Sequence, residues 1–294
     1  MVSAIRARYA ATAQLEITLE ANPTDCQPGA LASWRAAGIN RLSIGVQSLA
    51  PAELVVLGRD HRHGDGPAAL ARVIATGAFV TTCDFILGTP TGERYDTSWV
   101  DAVAATAVDH LSVYELTIEE RTAFGQRVRD GRLVPRDEDT LAELYEVTDA
   151  ALAAKGFEHY EISSYARVGK RAVHNSLYWR GQPYLGLGVG AASLALDADG
   201  GGERAMNPRR AAAYMAAPGA PAEVVTSTPA ELAVDRAWLG MRTRDGVAEA
   251  ELPRPLVAWL LEEGLAERAG MRISPTLRGF LMADRIAARI AEAM

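Results

Sequence analysis

The chain has 294 residues, 49% of them hydrophobic, enough to bury one large core and a smaller appended module. Its formal net charge of −7 argues against a binder of phosphate backbones, so nucleic acid is not an expected partner. No apolar run approaches the ~20 residues of a membrane-spanning helix, and the opening residues lack the apolar stretch and cleavage site of a secretory signal. The expected location is therefore cytoplasmic, with no transmembrane segment.

In chain order, residues 1–14 (MVSAIRARYAATAQ) read as a helix already in progress, with Val2, Ile5 and Tyr9 on one face. From 15 to 120 one pattern repeats: a short apolar run, a turn, an amphipathic segment. The apolar runs are LEITLEA at 15–21, INRLSIGVQSL at 39–49, FVTTCDFILG at 79–88 and HLSVYELTI at 110–118. Between them ALASWRAAG, AALARVIATG and SWVDAVAATAV read as helices, two of them ended by glycine as helix C-termini often are. Strands alternating with helices imply right-handed crossovers and a parallel sheet, either closed wholly or partly into a barrel or open and doubly wound. Each run ends in polar residues: Glu20, Gln47, Asp84, and Glu115 with Thr117. In parallel barrels that end of the strand is where ligands bind. Capping of the following helices is the plainer role for the same residues.

After residue 120 the rhythm changes. EDTLAELYEVTDAALAAKG is an amphipathic helix, FEHYEISSYA reads as one strand, and a loop with VHNSLYW leads into PYLGLGVGAASLAL. The composition of DADGGGERAMNP at 197–208 suggests a linker. Residues 227–294 read as helices, a short strand MRIS and a final helix, a winged-helix-like module whose acidic and basic residues nearly balance. The expected organisation is thus a partial parallel barrel over 1–120, an α+β extension over 121–200, and a winged-helix-like domain over 201–294.

Three groups of residues invite chemistry. Cys26 and Cys83 allow at most one disulfide and read as ordinary reduced thiols; an iron–sulfur cluster held by three protein thiolates needs one more. HRH at 61–63, flanked by Asp60 and Asp65, suggests a metal, yet two close histidines do not define a coordination sphere, and a solvated loop is the plainer reading. In HNSLYW at 174–179, His174 and Tyr178 would share a face on a helical turn, with Trp179 beside them. Imidazole and phenolate both ligate haem iron, and aromatic rings pack on a porphyrin; a capped aromatic corner is the alternative.

The ordered set EITLEANP (16–23), NRLSIGVQS (40–48), LGRDH (57–61), DFILGTP (84–90), LSVYELTIE (111–119), YEISSYA (160–166), HNSLYW (174–179) and YLGLGVGAAS (184–193) resembles the radical-SAM family of HemW haem chaperones and oxygen-independent coproporphyrinogen III oxidases. HNSLYW favours the chaperone branch, where an HNxxYW element is associated with haem binding. The resemblance implies a fold of the radical-SAM barrel type and S-adenosylmethionine contacts from Glu20, Gln47, Arg59 and Asp84, with Thr117 near the adenine. A charge at a helix end is the alternative for Arg59. It implies haem binding by His174, Tyr178 and Trp179, haem-accepting proteins as partners, and in the family a 4Fe–4S cluster.

Two departures qualify this. The family's first two βα units are missing, with the CxxxCxxC loop and a glycine-rich strand end, so the chain reads as amino-terminally truncated. Ala192 stands where the family usually has histidine. The expectation is a haem-binding, chaperone-like protein without its own cluster, holding S-adenosylmethionine weakly. The alternatives are a coproporphyrinogen III oxidase-like enzyme once the upstream segment is restored, or a non-catalytic remnant. The edge beside Leu15, Ile17 and Leu19 would be left unpaired, so self-association, in the simplest case a homodimer, is also expected.

Overall fold

The computed structural model describes residues 2–10, 12, 15–59, 64–91 and 97–294. They divide into two compact units, Met1–Arg171 and Ala172–Met294. No helix among the described residues is long and apolar enough to cross a membrane.

The first unit is organised by a six-stranded sheet. Its strands are β1 (Thr18–Ala21), β2 (Arg41–Gln47), β3 (Val80–Leu87), β4 (His110–Glu115), β5 (Glu158–Glu161) and β6 (Ser164–Ala166), in the spatial order β1-β2-β3-β4-β6-β5. The first four are parallel, β6 runs antiparallel to β4, and β5 antiparallel to β6. This is the partial parallel barrel type of arrangement expected from the alternating runs. FEHYEISSYA differs from expectation: it is two short strands that double back through residues 162–163. The sheet therefore draws on residues well beyond 120.

Side chains alternate across a strand, and here the alternation separates two interiors. Leu42, Ile44 and Val46, then Cys83, Phe85 and Leu87, then Leu111 and Val113 belong to one apolar core. That core is closed by Leu70 and Val73 from the helix Asp65–Ala75, Val100 and Val103 from Ser98–Ala104, and Leu152 from Glu138–Ala154. Helix and sheet come close at Gly66, where a Cβ would stand 2.7 Å from a Val46 methyl. Gly38 and Gly77, at φ +92° and +59°, end the helices Pro28–Ala36 and Asp65–Ala75 in the left-handed conformation that glycine tolerates.

The opposite face carries Arg41 and Ser43 on β2, Thr82 and Asp84 on β3, and His110 and Ser112 on β4. Sheets buried on both faces usually read as continuous apolar runs; this one keeps a polar interior. Arg41, 3% exposed, organises its N-terminal end. Its guanidinium donates to Glu16 Oε2 at 2.8 Å, Thr82 Oγ1 at 3.1 Å, and the carbonyls of Lys170 and Arg171 at 2.7 and 2.9 Å. Beside it, His110 Nε2 lies 2.9 Å from the Tyr160 hydroxyl. Burial, then the nearby Arg41 charge, pushes the His110 pKa down to about 3, so the imidazole stays neutral at physiological pH.

The second unit begins with the helix Val173–Trp179 and an antiparallel meander of β7 (Ala192–Leu196), β8 (Gly202–Met206) and β9 (Glu223–Ser227). The segment 197–208, expected as a linker, supplies the β7–β8 turn and all of β8. Its glycines serve a hairpin: at Gly202 a Cβ would come 2.5 Å from the Ala195 carbonyl. The helix Pro229–Gly240 opens with a reciprocal capping box, Glu231 accepting from the Thr228 amide at 2.7 Å while Thr228 accepts from the Glu231 amide at 3.3 Å. A winged-helix-like arrangement follows: β10 (Val247–Ala248), the helix Arg254–Glu262, β11 (Ala266–Ala269) and β12 (Arg272–Pro275). Two helices, Leu277–Leu281 and Ala283–Ala293, replace the single final helix expected. Leu260, Leu265, Ile273, Ile286 and Ile290 form its core. At the other terminus the first helix spans only Val2–Arg6, and Tyr9 lies beyond it, exposed.

Removing one partner of a buried ion pair strands the other, at a cost of about 3–5 kcal/mol. Arg41→Ala should lower the unfolding free energy of the first unit by that order, read by urea titration with Trp34 and Trp99 fluorescence. Arg41→Lys, lacking the planar fork, should recover only part of the loss.

Candidate functional site

At the C-terminal end of the parallel strands a cleft of about 340 Å³ opens, lined by Glu20, Ser43, Gln47, Arg59, Asp84, Ile86, Tyr114, Glu115, Leu116 and Thr117. The five residues marked out in sequence for one ligand, Glu20, Gln47, Arg59, Asp84 and Thr117, thus meet around one opening, and Glu115 joins them. The six come from four adjacent strands and two loops, each delivered by a different local device.

Glu20 and Ser43 are neighbours in register on β1 and β2. Past Ser43 the β2–β3 register shifts, and Gln47 takes φ +67°, left-handed and rare for a residue with a Cβ. Such a residue costs on the order of 1–3 kcal/mol and tends to occur at functional sites. The Gln47 side chain folds back over Gly45, where a Cβ would stand 2.7 Å from Gln47 Nε2. Gly45 is therefore what leaves room for the amide. Arg59 follows Gly58, which at φ +64° ends the helix Pro51–Val56. The two readings of Arg59 coincide: it stands at a helix C-terminus and at the rim of the cleft. Thr117 lies two residues past β4, after the Leu116 amide has bonded the Leu87 carbonyl at 2.9 Å.

Asp84 is the most deeply set acid of the cleft. Ser43 Oγ lies 2.9 Å from both of its carboxyl oxygens, and Ser112 faces it in register on the other neighbouring strand. Burial raises its pKa to about 6, against the two serines, and the charge of Glu20 adds to the rise. Glu161 is buried nearby in the same sheet and is likewise raised by burial, against bonds from Ser164 and the Ser163 amide. The Tyr114 phenol is raised by burial and by the charges of Asp84, Glu161 and Glu20. Against these acids the described lining offers one cation, Arg59. Such a cleft suits a ligand bearing positive charge together with a carboxylate or hydroxyls. Ser43, Ser112 and Tyr114 were not singled out in sequence; strand alternation places all three on the polar face, and that was the available signal.

In the second unit, HNSLYW forms the last six residues of the helix Val173–Trp179. His174 and Tyr178 do share a face, rings edge to face with centroids 4.8 Å apart, and Tyr178 meets Tyr184 at 4.6 Å. His174 is exposed, Tyr178 and Trp179 half-buried. The buried Trp179 indole N–H has no hydrogen-bond partner among the described residues.

Neither cysteine fits a cluster ligand. Cys26 and Cys83 are both fully buried members of the apolar core. Burial pushes the Cys26 thiol up to about 11 and Cys83 well above its usual value, the opposite of what a thiolate ligand needs. The HRH segment at 61–63, with Asp60, lies outside the described residues. Among those described, no group of three or more His, Cys, Asp or Glu could hold a metal ion.

The chain is 36% identical over 295 residues to Heme chaperone HemW of Mycobacterium tuberculosis (strain ATCC 25618 / H37Rv), covering 97% of this chain and 74% of that protein. Against Heme chaperone HemW of Synechocystis it is 34% identical over 246 residues, 81% of this chain and 58% of the other. With the mouse Radical S-adenosyl methionine domain-containing protein 1, mitochondrial, it shares 41% identity over 182 residues, 61% of this chain and 41% of that one. Among solved structures, Escherichia coli coproporphyrinogen III oxidase (HemN), a radical SAM enzyme, superposes with a TM-score of 0.78 over 98% of this chain and 72% of that one. Identity there is 20%, so the likeness is one of fold. No family model matches the chain.

The buried acid gives a pH signature. Because the folded-state pKa of Asp84, about 6, lies above its ordinary 3.8, the folded chain binds the extra proton between these values, and stability falls as pH rises through that window. Asp84→Asn should therefore be more stable than the parent at about pH 8, by at most ~3 kcal/mol at about 1.36 kcal/mol per unit. The advantage should vanish towards about pH 4; thermal melts across that range check both.

Proposed function

Given that the chain belongs to the HemW haem-chaperone family of radical-SAM proteins, we propose that it binds haem through the face of the helix Val173–Trp179, as the haem-carrying part of a trafficking protein that passes haem to acceptor proteins. The observation that carries the reading is the exposed His174 ring packed edge to face against Tyr178, 4.8 Å between centroids. It offers an imidazole and a phenol from one helical turn, with Trp179 next in sequence, to an aromatic macrocycle. Burial and the neighbouring Tyr184 hold the Tyr178 phenol above its usual pKa, which favours His174 over Tyr178 as the first ligand.

The cleft of the first unit is proposed as the S-adenosylmethionine site. The carboxylates Glu20 and Asp84 suit an ammonium, a sulfonium or a ribose diol; Arg59 suits a carboxylate, and Gln47 and Thr117 can hydrogen-bond the nucleoside. In the family the cluster supplies the electron that cleaves this cofactor. This chain's own cysteines do not fit that cluster, so no catalytic step is assigned to its residues, and binding is their role. Haem transfer rather than porphyrinogen oxidation is the function favoured, and a cytoplasmic location goes with it.

Ferric haem titrated into the chain should give a saturable Soret shift at about one equivalent, the ratio for a single ligation site. His174→Ala should alter the ligand-sensitive bands, with Tyr178→Phe and Tyr178/His174 double replacement giving successively weaker binding and unchanged far-UV circular dichroism. Adsorption on apolar surface would neither saturate at that ratio nor respond to His174. Unchanged spectra and affinity in all three variants would return HNSLYW to a structural corner.

A further inference from the structure

The Asp84 carboxyl is held by the Ser43 hydroxyl and flanked by a second serine on the strand opposite. Ser43 Oγ on β2 lies 2.9 Å from both Oδ1 and Oδ2, and Ser112 stands in register with Asp84 on β4, the strand on the other side. Ser43 and Ser112 are the middle residues of the polar face on their strands, with Arg41 and His110 two residues before them. Serine is a poor choice on packing grounds for the buried strand position of Ser112 and the half-buried one of Ser43, since it fills little space and brings a polar atom. A serine on each strand neighbouring one carboxylate is what the arrangement achieves.

We propose that Ser43 and Ser112 are positioning residues of the cleft, keeping the Asp84 carboxylate ionised and in register with the opening, so that the cleft loses affinity for a positively charged ligand as Asp84 takes up a proton. The proposal rests on the cofactor reading of the cleft for the identity of that ligand, and for the role of the serines on the Ser43 hydrogen bonds and the register position of Ser112 beside Asp84. The charged and titratable groups of the cleft are acids and a phenol, with Arg59 the one cation of its described lining. Glu20 on β1, exposed at the mouth, disfavours the Asp84 charge, and the Asp84 charge in turn raises the half-exposed Tyr114 phenol on β4. Glu115, at the end of β4, lines the cleft and is itself raised by burial and by Glu138. Arg59 lines the cleft from beyond β2, while Arg41 points its guanidinium to Glu16, Thr82 and the 170–171 carbonyls at the far end of the face. No cation is hydrogen-bonded to Asp84 among the described residues, so the serines are the groups that oppose its protonation. With its pKa near 6, modest loss of that support moves the carboxyl into the neutral range.

Two measurements on the full chain separate the parts of the proposal. In the first, aspartate is labelled with carbon-13 at the carboxyl, Asp84→Asn identifies the Asp84 signal, and its pH titration is followed in the parent, Ser43→Ala, Ser112→Ala and Ser43→Thr. Each alanine should raise the midpoint by about one unit, ~tenfold in proton affinity, and threonine, which keeps the hydroxyl, should restore it. Midpoints that stay with the parent's in both alanine variants would overturn the role of the serines; a purely structural serine would change stability without moving this carbon.

In the second, S-adenosylmethionine binding is measured by calorimetry from about pH 5 to 8, beside S-adenosylhomocysteine, whose sulfur is uncharged. The sulfonium compound should lose about tenfold in affinity per unit below the Asp84 midpoint, the neutral one less, and Ser43→Ala should shift the loss upward with the carbon titration. Affinity for the sulfonium compound that ignores the midpoint would overturn the linkage. No binding of either compound at any pH would overturn the cofactor reading instead, and the carbon titration would still decide whether the serines hold Asp84.

Discussion

One guanidinium holds the polar interior of the first unit together. Arg41 joins Glu16 ahead of β1, Thr82 on β3 and the carbonyls of Lys170 and Arg171 to its own strand, partners up to 130 residues away in sequence. A buried cation is costly unless its charge and its donors are met. Here the charge is met by Glu16 and the donors by four oxygens in the planar directions that arginine presents. The stretch 170–171, which closes the unit, is thereby tied to the start of the sheet. An apolar residue at position 41 could fill the volume but could not pair Glu16 or the two carbonyls.

The same face changes character along the strands. At the N-terminal ends stand Arg41 and a histidine kept neutral by burial; midway come Ser43, Thr82 and Ser112; at the C-terminal ends come Asp84, Tyr114, Glu20 and Gln47. The acids are collected where the cleft opens and the fixed cation is kept at the other end, already committed to its own partners. Burial of Asp84 without a cation works against folding, as its raised pKa records. So does the left-handed backbone of Gln47. Neither is required by the apolar core on the opposite face, which is complete without them. Two costs at one opening, each met by a local device (the serine pair, Gly45), are better explained by a ligand than by packing.

What could be read in the sequence follows from range. The four parallel strands and the helices between them announce themselves by alternation and by glycine at helix ends, because those signals are local. The gathering of Glu20, Gln47, Asp84 and Thr117 at one mouth also follows from local pattern, since each closes a strand of a parallel sheet. FEHYEISSYA misled because a tight reversal at 162–163 carries no glycine or proline. DADGGGERAMNP misled the other way, since the composition of a flexible linker is also that of a β-turn followed by a close-packed strand. The left-handed turn at Gln47 and the Ser43 hold on Asp84 depend on register between strands about 40 residues apart, which no window of sequence contains.

The two cysteines show why composition and position must be weighed together. By count alone they fall short of a three-thiolate set; by place they are core residues whose neighbours are Leu, Val and Ile, with thiols held protonated by burial. Cys83 sits on β3 between Thr82 and Asp84, yet alternation turns it to the apolar side while both of its neighbours face the polar interior. A single-residue slip of β3 would exchange them, burying Asp84 among hydrocarbons and bringing a thiol to the cleft. Register is therefore what separates a structural sulfur from a functional carboxylate here. The register in turn is fixed by the apolar run on one face and by Arg41 bonded to Thr82 on the other. The same constraint that makes the unit fold thus decides which chemistry its opening presents.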